Sequence, residues 1–261
     1  MISRWIRART RLAWLRDAEH PEVVLLAVLL GGVTAYAWTA EPVGIAVVIA
    51  VEMALAGFGA VWLIGPVRAR LGFARYGTLA AAAVAVTLFG RVLTGWAQVA
   101  LLPVAILGLW AVLVLELRLN DGRAPRMGIE LVMVGIVFTS AAGIGLILPP
   151  DTWPPPLLLL VLACGVPALR SAELRGRFGS EAVGQAALHL LAVAQVGAAL
   201  LLLSLPGVVG AAMVALTFHA WAGAAEALDS GAPLRDVLLE FGSLALLGLA
   251  VAIVVPMLAP R

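Results

Sequence analysis

His189 and His219 are the residues best suited to chemistry, because each lies inside a long apolar run. Imidazole changes charge near neutral pH and also ligates metals and haem iron. Counted from the arginine-bearing ends of their runs, both histidines sit about two helical turns deep. The short Ser204-Leu205-Pro206 connection makes the two runs antiparallel neighbours. Glu226 follows His219 by seven residues, which keeps it on nearly the same helical face. Glu240 and Glu130 can approach from neighbouring runs, and Gln195 continues deeper beside His189. Ionisable groups at membrane depth are costly and mark candidate pathways or binding sites. This set therefore predicts a polar cavity, shared by both histidines, that binds a solute or relays protons. Haem or a metal ion held between His189 and His219 is the redox alternative.

A second constellation pairs opposite charges. Glu52 stands near the middle of one apolar run and Arg91 about one turn inside the end of the next. Their backbones differ in depth by about 7 Å at about 1.5 Å per residue, which an arginine can bridge. An intramembrane ion pair is expected.

Several enzyme classes lose their essential residues. All 17 basic side chains are arginine, so no lysine is present to form a Schiff base or complete a phosphate-binding loop. Neither a G-x-S-x-G elbow nor an H-E-x-x-H pair occurs. Asp121-Gly122-Arg123-Ala124-Pro125-Arg126 is similar to the D-G-x-x-A-R opening of the CDP-alcohol phosphotransferases, but Pro125 replaces the alanine. The aspartates that would follow are missing as well, since none occurs before Asp151. The chain reads as a non-enzyme more readily than as an enzyme.

The elements that must position these residues follow from composition. Of 261 residues 63% are hydrophobic and 12% charged, and the mean hydropathy is +1.07. A soluble domain is about half apolar and about a quarter charged, so this chain has too little polar surface for water. It is expected to be an all-α, polytopic membrane bundle that does not bind nucleic acid. Runs of about 20 apolar residues, enough to cross about 30 Å of hydrocarbon, place nine spans. These are Pro21–Ala40, Val43–Ile64, Tyr76–Trp96, Ala97–Leu117, Gly128–Leu148, Trp153–Leu169, Ala182–Leu203, Gly207–Ala227 and Val237–Leu258. The linkers are short, which leaves one membrane domain over residues 20–261.

Charge placement fixes the orientation. With the N-terminus inside, nine crossings bring every arginine to the cytoplasmic side except Arg91 and Arg261. That distribution obeys the positive-inside rule and predicts a bacterial cytoplasmic membrane. Trp38, Trp96 and Trp153 fall at the outer boundary, and Trp62 and Tyr76 at the inner one, as interfacial aromatics do. Within residues 1–19, Trp5, Ala8, Leu12 and Leu15 recur at helical spacing among arginines. That segment is expected to lie on the membrane surface as an amphipathic helix against anionic lipids. The lone Cys164 allows no internal disulfide. Closely spaced small residues, such as Gly143 and Gly145, suit tight helix packing, within one chain or in an oligomer or membrane complex. Three functions follow from these features: a small transporter with a cytoplasm-facing polar site, a structural or assembly subunit, or a membrane enzyme using the two histidines.

Overall fold

Apolar runs of this length leave the backbone no option in a bilayer except helices, which satisfy every N–H and C=O internally. The computed structural model describes residues 21–65, 72–120, 122, 125–148, 152, 154–203 and 207–258, and these contain helices and no strand. The helices are α1 Pro21–Thr39, α2 Pro42–Ile64, α3 Arg75–Gly90, α4 Trp96–Asn120, α5 Arg126–Ile147, α6 Pro155–Leu174, α7 Ser180–Leu202, α8 Gly207–Asp229 and α9 Leu234–Leu258. Seven of them, α1, α2 and α4 to α8, are long and apolar enough to cross a membrane. Side chains such as Phe58, Leu107 and Leu162 stand exposed around the bundle, where only lipid would accept them. The protein is a multi-pass membrane helix bundle.

The third helix departs from its expected length. It holds 16 residues, about 24 Å at about 1.5 Å each, and ends at Gly90 instead of running on to Trp96. It can be short because it is the central post of the bundle. Helices α1, α2, α4, α5 and α6 all pack against it, and Leu79, Ala80, Ala83, Ala85 and Thr87 are buried along it. Its alanines let those backbones come close. At Gly90 the indole of Trp38 fills the space a Cβ would need. The chain then turns through Arg91 to Gly95, where Gly95 takes the left-handed φ of 57° that favours glycine.

Two spans reach further than their apolar runs. Helix α6 starts on Pro155, whose missing N–H costs nothing there, and continues past Leu169 to Leu174. Helix α4 continues past Leu117 to Asn120. Each therefore carries charged residues on a buried helical turn.

All described arginines except Arg91 lie at or near helix ends on one side of the bundle, and contacts between helices tie several of these ends together. Arg170 of α6 meets Glu116 of α4, Glu173 of α6 meets the start of α3, and Arg177 meets Asp229 of α8. Two expected interfacial aromatics turn inward instead. The Trp38 indole N–H donates to the Val86 carbonyl, and Tyr76 is buried, its hydroxyl donating to the Gly65 carbonyl. The amphipathic segment 1–19 and Trp153 lie outside the described residues.

Candidate functional site

Helices α5, α6 and α8 share a seam that contains two cavities. The one at the arginine-rich end, ≈ 70 Å³, is lined by Glu130, Ser171, Arg175, Phe218, His219 and Glu226, among others. Each side chain has a local reason to be there. Glu130 lies about one turn into α5 and Ser171 about one turn before the end of α6. His219 and Glu226, seven residues apart on α8, share one face as their spacing requires. Arg175 caps α6 and folds back over it, its Nη1 donating to Ser171 Oγ at 2.8 Å. Glu130 lies within electrostatic reach of Glu226, His219 and Arg175.

Arg175 is the unusual member of this cleft. Its side chain is only 7% exposed, and its Nε faces Asp229 Oδ2 at 3.8 Å, too far for a hydrogen bond. Nε and Nη2 are buried without a hydrogen-bond partner. Burial pushes the guanidinium below its usual pKa, and Asp229 and Glu226 oppose that shift. Asp229 is also gripped by Arg177, at 2.7 Å, and Arg177 binds Glu181 at the start of α7. Arg177 thereby ties the start of α7 to the end of α8.

The second cavity, ≈ 80 Å³, lies toward the opposite end of the same seam, where α7 joins the wall. Its lining is apolar and small, including Ala141, Gly145, Leu160, Gly197, Gly210 and Ala211. At depths between the two cavities, Val137 of α5, Cys164 and Ala168 of α6 and Ala215 of α8 are all buried.

His219 and Glu226 thus come together, but His189 does not join them. It is fully buried, with its ring stacked 4.1 Å from that of Phe218 and its Nε2–H donating to the Phe218 carbonyl at 3.0 Å. Equal depth holds for the two histidines; equal direction does not. Phe218 and His219 are adjacent on α8, about 100° apart around the axis, and His189 sits under the former. A haem bridging the two imidazoles therefore has no common space. Among the described residues no group of three or more His, Cys, Asp or Glu side chains could hold a metal ion. Gln195 and Glu240 are exposed on α7 and α9 and do not line the cleft. Glu130, Ser171 and Arg175 complete it instead. A serine one turn before an arginine on a helix end, Ser171 and Arg175, is the sequence signal that could have found the pair.

The expected Glu52–Arg91 ion pair is likewise replaced by other partners. Oε1 of Glu52 accepts from Thr34 Oγ1 at 2.8 Å and from Thr87 Oγ1 at 2.6 Å. Arg91 instead donates through Nη1 to the carbonyls of Ala37 and Ala40, at 2.6 and 2.8 Å. These are unsatisfied acceptors at the end of α1, which attract a cation more cheaply than a deeper carboxyl does.

Charge pairing occurs at the other end, in a cluster the sequence did not single out. Arg170 grips Glu116 in a two-point clasp, Nη2 to Oε2 at 2.6 Å and Nε to Oε1 at 3.1 Å. Thr78 also donates to Glu116, at 2.9 Å. Glu173 accepts the backbone N–H groups of Phe73 and Ala74 at 2.6 and 2.9 Å, so α6 caps the start of α3. Gly72, at φ 76°, is the residue that fits here, because a Cβ would collide with the Glu173 carboxyl. The spacing of Glu173 three residues after Arg170, at the end of an apolar run, was its sequence signal. Arg170 and Thr78 join α6 and α3 to Glu116 of α4, and Glu173 joins α6 to the start of α3, which gives this cluster an architectural role. No family model, curated protein or solved structure matches the chain.

Proposed function

We propose that the chain is a small permease whose solute path follows the α5–α6–α8 seam. Its polar site is the cleft at the arginine-rich end, which the positive-inside rule assigns to the cytoplasm of a bacterial cell. The observation that carries this reading is the pair of separate cavities toward opposite ends of one seam, with buried side chains at the depths between them. Alternating access needs such a path, open toward one face at a time. Arg175 supports it further, because a solute acceptor in the cleft would satisfy two N–H groups that the protein leaves without partners. Glu130 and Glu226 line the same space, so a small solute with both an acceptor and a cationic group suits the lining. A purely architectural subunit would gain nothing from leaving these groups unsatisfied.

Single cysteines test the path. In a Cys164→Ala background, His219→Cys and Gly210→Cys place a thiol in the inner and outer cavity. Gly210 has open space for a side chain. In sealed vesicles of known orientation, a membrane-impermeant maleimide should label His219→Cys from the cytoplasmic face and Gly210→Cys from the opposite face. Thiols sealed from both faces would overturn the proposal.

A further inference from the structure

The carboxyl of Glu52 is fully buried between α1, α2 and α3, about 15 Å along α2 from its start. Two threonine hydroxyls, Thr34 from α1 and Thr87 from α3, converge on Oε1, and Oε2 is buried with no hydrogen-bond partner. This division of labour distinguishes the two oxygens. Oε1 accepts twice and Oε2 has no partner, so a proton on this carboxyl would sit on Oε2.

The surrounding elements offer no compensating charge. On α1 the ionisable groups are Glu22, at the far end, and the exposed Tyr36. On α3 they are Arg75 and Tyr76, about three turns away from Thr87. On α4, Glu116 and Arg118 belong to the arginine-rich end. Arg91, the nearest cation by sequence, is occupied by the carbonyls of Ala37 and Ala40. Among the described residues no charged side chain acts on the Glu52 carboxyl. An unpaired carboxylate here would carry a bare charge in hydrocarbon; the neutral acid leaves only one unmade hydrogen bond.

We infer that Glu52, held by Thr34 and Thr87, is an intramembrane proton-binding site that carries an exchangeable proton on Oε2. The site is independent of the solute cleft, so either assignment stands if the other fails. It supplies the chain with a group that binds and releases a single proton inside the bundle.

Infrared spectroscopy of the purified, full-length protein in detergent at neutral pH tests this. The wild type should show the C=O stretch of a protonated carboxylic acid that is absent from Glu52→Gln. Glutamine keeps an acceptor oxygen for both threonines, so that variant retains the local fold. The band should shift in D2O, reporting exchange of the proton. It should move to higher frequency in Thr34→Val and in Thr87→Val, which each remove one bond to the carbonyl oxygen. Arg91→Gln should leave it in place, because Arg91 is not a partner. A spectrum without a Glu52 acid band would overturn the inference. A band that ignores D2O would also overturn it, by showing a sealed structural hydrogen bond.

Discussion

Glu116 meets an arginine through two parallel bonds, whereas Glu52 meets only hydroxyls, and depth accounts for the difference. Glu116 lies one turn from the end of α4, where Arg170 of α6 can reach it; Glu52 lies mid-helix, beyond that reach. The Arg170 and Glu116 side chains are each 2% exposed, so the cost of desolvating both is offset only while both are present. Arg170→Met and Glu116→Gln are each expected to destabilise the protein by about 3–5 kcal/mol, since each strands a buried polar or charged partner. The double variant should lose much less than the sum, as measured by denaturant titration in detergent. Strict additivity would mean that the clasp contributes nothing. At this scale the sequence is legible in depth and illegible in direction. Residue count placed Glu52 and Arg91 close enough to pair and gave His189 and His219 a common level. It could not show that Arg91 turns to the carbonyls of α1, or that Phe218 covers His189. Arg170 was visible as a topological charge, and its buried partner Glu116 was not, because that partner lies on another helix.

Helices, unlike side-chain directions, could be read from apolar length alone, and each expected span has its helix. The errors fall where tertiary contacts set the ends. Helix α3 stops early because Trp38 packs on Gly90, and α6 runs on because Glu173 finds the start of α3. Close approach is what lets α3 serve as a central post, and α5 shows it best. A Cβ on Gly143 would sit 2.6 Å from the Leu88 carbonyl carbon and 2.8 Å from the Phe89 nitrogen, both backbone atoms that cannot step aside. Gly135, on the same helix, has nothing within 4 Å. Gly143→Ala should therefore force α3 and α5 apart at a cost of about 1–3 kcal/mol. Gly135→Ala should be neutral, or stabilising by up to about 1 kcal/mol through helix propensity. Thermal unfolding of the two variants side by side makes the comparison; equal midpoints would show that the α3–α5 contact is loose.

The bundle as a whole is polarised, and its arginines are the means. Arg75, Arg118, Arg126, Arg170, Arg175, Arg177 and Arg235 occupy one end, tied across helices by Glu116, Glu173 and Asp229, while Arg91 alone among the described arginines caps the other. Moving several arginines through hydrocarbon is prohibitive, so the positive-inside rule predicts that the arginine-rich end stays on the side where the chain is made. The acidic residues of the cleft lie at that same end, which is why orientation decides whether the site faces the cytoplasm. Exposed turn residues report the orientation directly. Thr94 follows α3, Thr152 precedes α6 and Ser230 follows α8, and all three are exposed. In a Cys164→Ala background, Thr94→Cys and Thr152→Cys should react with an impermeant maleimide added to intact cells. Ser230→Cys should react only after the membrane is opened. Labelling of Ser230→Cys in intact cells would invert the bundle and place the Arg175 cleft outside. Protection of Thr152→Cys alone would mean that α5 does not carry its end to the outer face, and the two cavities would then no longer lie along one transmembrane seam.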